Sequence, residues 1–184
     1  MFQLDKLIQA TGYVLKRNSF KMNYLKVIKI LYLADRESII CTGQSMSGDS
    51  FVNMKNGPVL SRLYDLIKNR HTKAETQNFW NTRFSTDGYD LIANFDRIPE
   101  GGLSTFEKET LTRLDDQFKE ASYGEMIDYV HKACPEWEDT DTSKPIHLER
   151  ILECAGMSPD EIDIILAENE AFDKEEGVFT SIGA

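Results

Sequence analysis

His131-x-x-Cys134, followed by His147 and Cys154, is the one set of residues in this chain whose types resemble metal ligation. Two imidazoles and two thiolates could close a tetrahedral zinc site. The spacing argues against it. His147 and Cys154 stand too far apart within their own segment for a usual ligand pair, and soft ligands meet by accident in helical sequence. The sequence therefore predicts no bound metal and no cofactor. Cys41 could serve as a nucleophile, but no charged or histidine neighbour that would lower its pKa is identifiable, and a buried thiol is the expectation for it and for the other two cysteines. An odd set of three widely spaced cysteines does not form a disulfide framework. The chain contains no nucleophile elbow, no phosphate-binding loop, no dinucleotide fingerprint and no His-Glu-x-x-His, so no catalytic residues are assigned.

The other chemistry on offer is electrostatic. Lys55, Arg62, Lys68, Arg70, His71 and Lys73 gather around Pro58 and the segment after it, and a helix carrying them could read a nucleic-acid groove. Residues 1–74 hold 12 Lys+Arg against 5 Asp+Glu, and the remaining residues hold 9 against 26, which together give the net charge of −10. An acidic chain is poorly suited to nucleic acid, and mutual neutralisation of the two parts accounts for the split equally well. Asp35 at the end of an apolar stretch needs a partner, and Arg62 is one candidate.

The elements that must position these residues read as mainly helical. Leu4, Leu7, Ile8, Val14 and Leu15 recur at helical spacing up to Arg17. Lys21 to Cys41 is apolar on nearly every side, as expected of a helix at the middle of a bundle. Lys26 and Lys29 mark its one polar stripe, and Gly43 its end. Ser50 to Met54 reads as a short strand or extended segment. Asn56-Gly57-Pro58 is a sharp boundary, with Pro58 suited to the first position of a helix over Val59 to Asn69. Phe79–Phe84 and Tyr89–Ala93, around Ser85-Thr86-Asp87-Gly88, predict a β-hairpin. Helices followed by a hairpin have the order of a winged helix. The expected fold is thus mainly α with a small β-hairpin, a helical bundle built round a central buried helix.

Ser104-Thr105-Phe106-Glu107 has capping-box spacing and opens a helix to about Glu120. Further helices are expected over Tyr123–Lys132, Leu148–Cys154 and from Ser158-Pro159-Asp160-Glu161 to about Glu170. Trp137 falls in an acidic loop between them. Beyond Phe172, Val178, Phe179 and Ile182 are candidate hooks for a loose tail. The acids of this end (Glu149, Glu153, Asp160, Glu161, Asp163, Glu168, Glu170, Asp173, Glu175 and Glu176) either pair with the basic first part or face a partner. The length suits one domain over 1–184, with a core over 1–135 and an acidic helical extension over 136–184.

Lys26-Val27-Ile28-Lys29-Ile30-Leu31-Tyr32-Leu33-Ala34-Asp35-Arg36, followed by Phe51–Met54, Lys55-Asn56-Gly57-Pro58-Val59 and Leu60–Leu66, resembles the Panacea, or SocA-like, antitoxin domain, which is also met in phage-associated proteins. The order and spacing of both parts carry the likeness over about residues 5–70 and extend it to about 135. Asn56 stands where the family often has an aromatic residue or histidine. The resemblance implies an antitoxin that neutralises a cognate protein toxin by direct contact, the toxin being encoded by the adjacent gene. One family branch instead delivers its toxin to a protease, and a DNA-binding regulator is a further alternative. Met54, Lys55, Asn56, Gly57, Pro58, Val59 and Arg62 are the candidate partner-binding residues, with Tyr32 and Asp35 as structural motif residues. No apolar run is long enough for a membrane span. Met1-Phe2-Gln3-Leu4-Asp5-Lys6 does not read as a secretion signal, so a cytoplasmic location is expected.

Overall fold

The computed structural model describes residues 1–182 and, among them, the side chains of residues 1–94 and 96–174. Helix α1 (Leu4–Arg17) buries Leu7, Ile8, Val14 and Leu15 along one face. Strand β1 (Lys21–Asn23) follows, and Asn23 caps helix α2 (Tyr24–Thr42) by accepting from the Leu25 amide. The sequence placed Lys21–Asn23 inside the helix. Those residues instead pair with a distant strand, which takes their backbone groups out of the helical register. Helix α2 ends at Gly43, with φ +74 and its amide on the Ile39 carbonyl, in the left-handed C-cap expected there.

Helix α2 is the central helix. It packs against α1, against strand β3 (Val59–Leu60) and helix α3 (Ser61–Ile67), and against the later helices α5 (Thr105–Gln117), α6 (Tyr123–Ala133) and α7 (Leu148–Cys154). Pro58 stands before β3 rather than at a helix start, because Val59 and Leu60 pair with strand β2 (Phe51–Asn53) before α3 begins. Strand β6 (Lys144–Ile146) pairs with the other edge of β2, giving the sheet order β3-β2-β6.

Helix α4 (Ala74–Asn81) takes residues expected in a strand. Trp80 is buried there against Phe84, with ring centroids 4.3 Å apart, so tertiary packing overrides the β-propensity of Phe79 and Trp80. The hairpin itself is present but shorter. Strand β4 (Phe84–Asp87) and strand β5 (Asp90–Ala93) flank Gly88-Tyr89, and β1 completes the order β1-β5-β4. Gly88 has φ +59 at the first central position, where a hairpin turn favours glycine.

Capping boxes start α5 (Ser104 with Glu107) and α6 (Ser122 with Glu125). Ser158 and Glu161 exchange the same pair of bonds at the start of α8 (Pro159–Ile182), which continues past Glu170. The candidate hooks Val178, Phe179 and Ile182, and the acids Glu175 and Glu176, lie outside the described side chains. Asn169 ties α8 to the end of α2 through the Gly43 carbonyl, at 2.7 Å. Among the described residues there are eight helices and two small antiparallel sheets around one hydrophobic cluster, so the fold is mainly α with a small β component.

Candidate functional site

The segment Met54–Pro58 joins β2 to β3 as a tight turn that the rest of the chain clasps at both ends. The Gly57 amide donates to the Met54 carbonyl at 2.9 Å, closing the turn. Trp137 Nε1 donates to that same Met54 carbonyl at 2.9 Å. At the far end, Lys29 Nζ donates to the Pro58 carbonyl at 2.8 Å. Just upstream, Asn53 Oδ1 accepts from the Glu138 amide at 3.0 Å. Tyr123, at the start of α6, hydrogen-bonds the side chain of Asn56.

Gly57 is needed where it stands. Its φ is +94, and a β-carbon there would lie 2.8 Å from Val130 Cγ2, 3.1 Å from Lys29 Nζ and 3.5 Å from His131 Cδ2. Gly57, Pro58 and Val59 are buried, whereas Lys55 and Asn56 are exposed and Met54 is half-buried. The first three therefore hold the turn, and the side chains it offers outward are Lys55 and Asn56.

Lys29 corrects the expected polar stripe of α2. It is only 2% exposed, and burial pulls its ammonium down from the usual lysine value to about 7. Its neighbour His131 stacks on Trp137, with centroids 3.7 Å apart and planes within 8°. His131 Nε2 is buried without a hydrogen-bond partner, and burial together with the nearby Lys29 charge lowers the pKa of the ring.

A second bracket lies one turn along α2. Tyr32 donates to Glu136 Oε1 at 2.7 Å, and Arg36 engages both Glu136 oxygens, Nε to Oε1 at 2.6 Å and Nη2 to Oε2 at 3.1 Å. This two-pronged ion pair anchors the α6–β6 connection that carries Trp137. Cys134 lies buried beside it, its thiol pushed up to about 12 by desolvation.

Asp35 serves the preceding loop. It accepts from Ser45 Oγ at 2.7 Å, the Met46 amide at 2.6 Å, the Ser47 amide at 3.4 Å and the Ser47 hydroxyl. It does not meet Arg62, since these four donors fill its oxygens. Arg62 lies instead over the Phe2 ring, 4.5 Å from its centroid, and its backbone amide donates to Asp49. Other members of the basic cluster are also held by the fold, as Lys68 sits over Tyr24.

The zinc-like set is not assembled. His131 is committed to Trp137, and among the described residues no three His, Cys, Asp or Glu side chains are placed to hold a metal ion. Cys41 is exposed, not buried, because it falls on the outer side of the last turn of α2.

Sequence reasoning missed Lys29, Glu136, Trp137 and Tyr123 as site residues. Lys29, Tyr32 and Arg36 stand at i, i+3 and i+7, so all three share one face of α2, and that was a readable sign. Nothing local in the acidic stretch after Pro135 marks Glu136 as a buried partner.

Fold and turn together define a mainly helical scaffold whose central helix clasps a Gly-Pro turn. The sequence model of the family described as Antitoxin SocA-like, Panacea domain, matches residues 27–138, from the first turn of α2 to just past the Trp137 clasp, and the chain belongs to that family. No curated protein and no solved structure matches the chain. No helix among the described residues is long and apolar enough to cross a membrane.

Proposed function

We propose that the chain is the antitoxin of a toxin–antitoxin pair and neutralises a cognate protein toxin, the product of the adjacent gene, by direct contact in the cytoplasm. The observation that carries this reading is the clasped turn. It presents Lys55 and Asn56 on a backbone fixed at both ends, so a partner meets a surface whose ordering entropy is already spent. Family membership supports the antitoxin role. The chain acts as a binding module rather than an enzyme, and needs no cofactor. Beneath the turn Lys29 is engaged with a carbonyl and Arg36 with Glu136, while burial keeps the Cys134 thiol protonated and the His131 ring is stacked on Trp137. It folds as one unit over 1–184, a reading supported by the docking of Glu136, β6 and α7 against α2 and β2.

Co-expression tests this directly. The protein should restore growth to cells expressing the adjacent gene's product, and the two should co-purify. Undiminished toxicity in the presence of abundant folded protein would end the proposal.

A further inference from the structure

Asn56 leads from the turn into a group of tyrosines that the sequence scatters over about a hundred residues. Tyr123 holds the Asn56 side chain, and burial raises its hydroxyl pKa. Tyr64 lies one helical turn before Lys68, whose amide donates to the Tyr64 carbonyl at 3.0 Å. The Tyr24 ring stacks on Tyr89, with centroids 5.8 Å apart and planes within 17°. Lys68 Nζ stands 4.2 Å above the centroid of Tyr24 and donates to its hydroxyl. Tyr89 is the second central residue of the β4–β5 turn and is 65% exposed. Its carbonyl accepts from the Tyr24 amide at 2.8 Å, so the backbone fixes the ring where it stands. Tyr24 and Tyr89 thus stack at the N-terminal end of α2, and Lys68 links Tyr24 to the end of the helix that carries Tyr64.

The chemistry of this face is specific. Tyrosine supplies large, rigid contact area at little entropic cost, and its ring and hydroxyl make it a frequent anchor of protein interfaces. The hydroxyls, the Asn56 amide and the ammonium groups of Lys55 and Lys68 can all donate hydrogen bonds. Neither lysine forms an ion pair among the described residues. Two nearby carboxylates are already engaged, Glu125 with the Ser122 cap and Asp90 with Lys21 at 2.9 Å. Single-stranded nucleic acid also uses aromatic and basic side chains, but it needs a positively charged groove that tracks the backbone, and this face carries only Lys55 and Lys68.

We propose that Tyr64, Tyr89 and Tyr123, with Lys55, Asn56 and Lys68, form a docking face for a carboxylate-bearing segment of a protein partner. Where that partner is the toxin, the proposal rests on the antitoxin reading and deepens it.

Three readouts decide it. In the complex with the adjacent gene's product, a zero-length carbodiimide cross-linker should join Lys55 or Lys68 to Asp or Glu of the partner. Cross-links confined to other lysines would overturn the proposal. Tyr89→Ala, at an exposed turn position, should weaken the complex about thirty-fold, as truncation of an interface anchor does, while Tyr89→Phe keeps most of the affinity. Wild-type affinity in Tyr89→Ala would overturn it, even where neutralisation itself stands. Should the adjacent product not bind at all, the antitoxin reading falls, and the face is judged on its own. Isotope-labelled full chain titrated with hexaglutamate should then shift the resonances of Tyr64, Tyr89 and Tyr123, with the shifts lost in Lys68→Glu. No shifts with hexaglutamate, or equal shifts with hexalysine or oligo(dT), would overturn the inference.

Discussion

Helix α2 holds two loops with two buried charges, and it treats them differently. Asp35, toward its C-terminal end, is met by two amides and two hydroxyls of Ser45–Ser47. Lys29, toward its N-terminal end, is met by one carbonyl, that of Pro58, although an ammonium has three protons to give. A saturated buried charge acts as a frame member, since each of its hydrogen bonds offsets part of its desolvation. An undersatisfied one is held at a cost to stability, and sits where the chain carries something else. The loop held by Asp35 leads only into the fold, with Asp49 at its end accepting from the Arg62 and Leu63 amides at the start of α3. The loop held by Lys29 puts Lys55 and Asn56 outside.

Breaking the Asp35 side should have the largest effect. Asp35→Ala removes the acceptor of four donors and should cost about 3–5 kcal/mol in urea unfolding at pH 7. A loss below about 1 kcal/mol would show that the Ser45–Ser47 loop does not depend on its carboxylate. Gly57→Ala comes next. It forces a β-carbon into the left-handed region and against Val130 and Lys29, at about 2 kcal/mol. Unchanged stability would mean that the turn adapts and is not clasped.

Lys29→Met sharpens the comparison through its pH dependence. At pH 7 the variant loses one hydrogen bond but also the burden of a buried ammonium, and should stay within about 1 kcal/mol of the wild type. The two charges then separate by sign. The folded-state pKa of Lys29 is about 7, below its value of 10.5 when unfolded. Between these values the unfolded chain binds the extra proton, so wild-type stability gains from Lys29 as pH rises from 7 toward 10.5. The folded-state pKa of Asp35 is about 6, above 3.8. There the folded chain binds the extra proton, so its contribution falls as pH rises from about 4 to 6. The stability difference between wild type and Lys29→Met should therefore move in favour of the wild type by on the order of 3 kcal/mol between pH 7 and 10. Parallel pH profiles would show that Lys29 is not the buried cation that the clasp requires.

Much of this frame was legible in the residues. The run from Val27 to Ala34 leaves so few polar positions that α2 had to be central, and it is. Ser104 with Glu107, and Gly43, mark helix ends by chemistry that acts within a few residues of itself. The failures share a cause, which is dependence on distant partners. Lys21–Asn23 leave the helical pattern only because β5 offers them a ladder, and Trp80 is helical because of the pocket it fills. The site divides in the same way. Gly57-Pro58 was visible, since only a turn needs that pair. The clasp was not visible, since Lys29 lies 29 residues before Pro58 and Trp137 83 residues after Met54.

The smallest change to the fold should make the largest change to neutralisation. Lys55 and Asn56 are exposed, and the side chain of Asn56 touches only Tyr123 among the described contacts. A Lys55→Glu, Asn56→Ala double variant should unfold within about 0.5 kcal/mol of the wild type, the usual range for surface positions. It reverses a charge and removes an amide on a turn that Trp137 and Lys29 hold rigid, so a partner docked there cannot recover by moving the loop. Growth rescue in co-expression should fail while the protein stays folded and abundant. Lys29→Met gives the complementary result. The side chains of the turn are intact but one of its ends is released, so binding weakens less, and hydrogen exchange at Lys55–Gly57 quickens. Full rescue by the double variant would remove this turn from the partner face, and with it the reason offered for the undersatisfied lysine. Lost rescue with unchanged exchange in Lys29→Met would keep the face and reassign the holding of the turn to Trp137 alone.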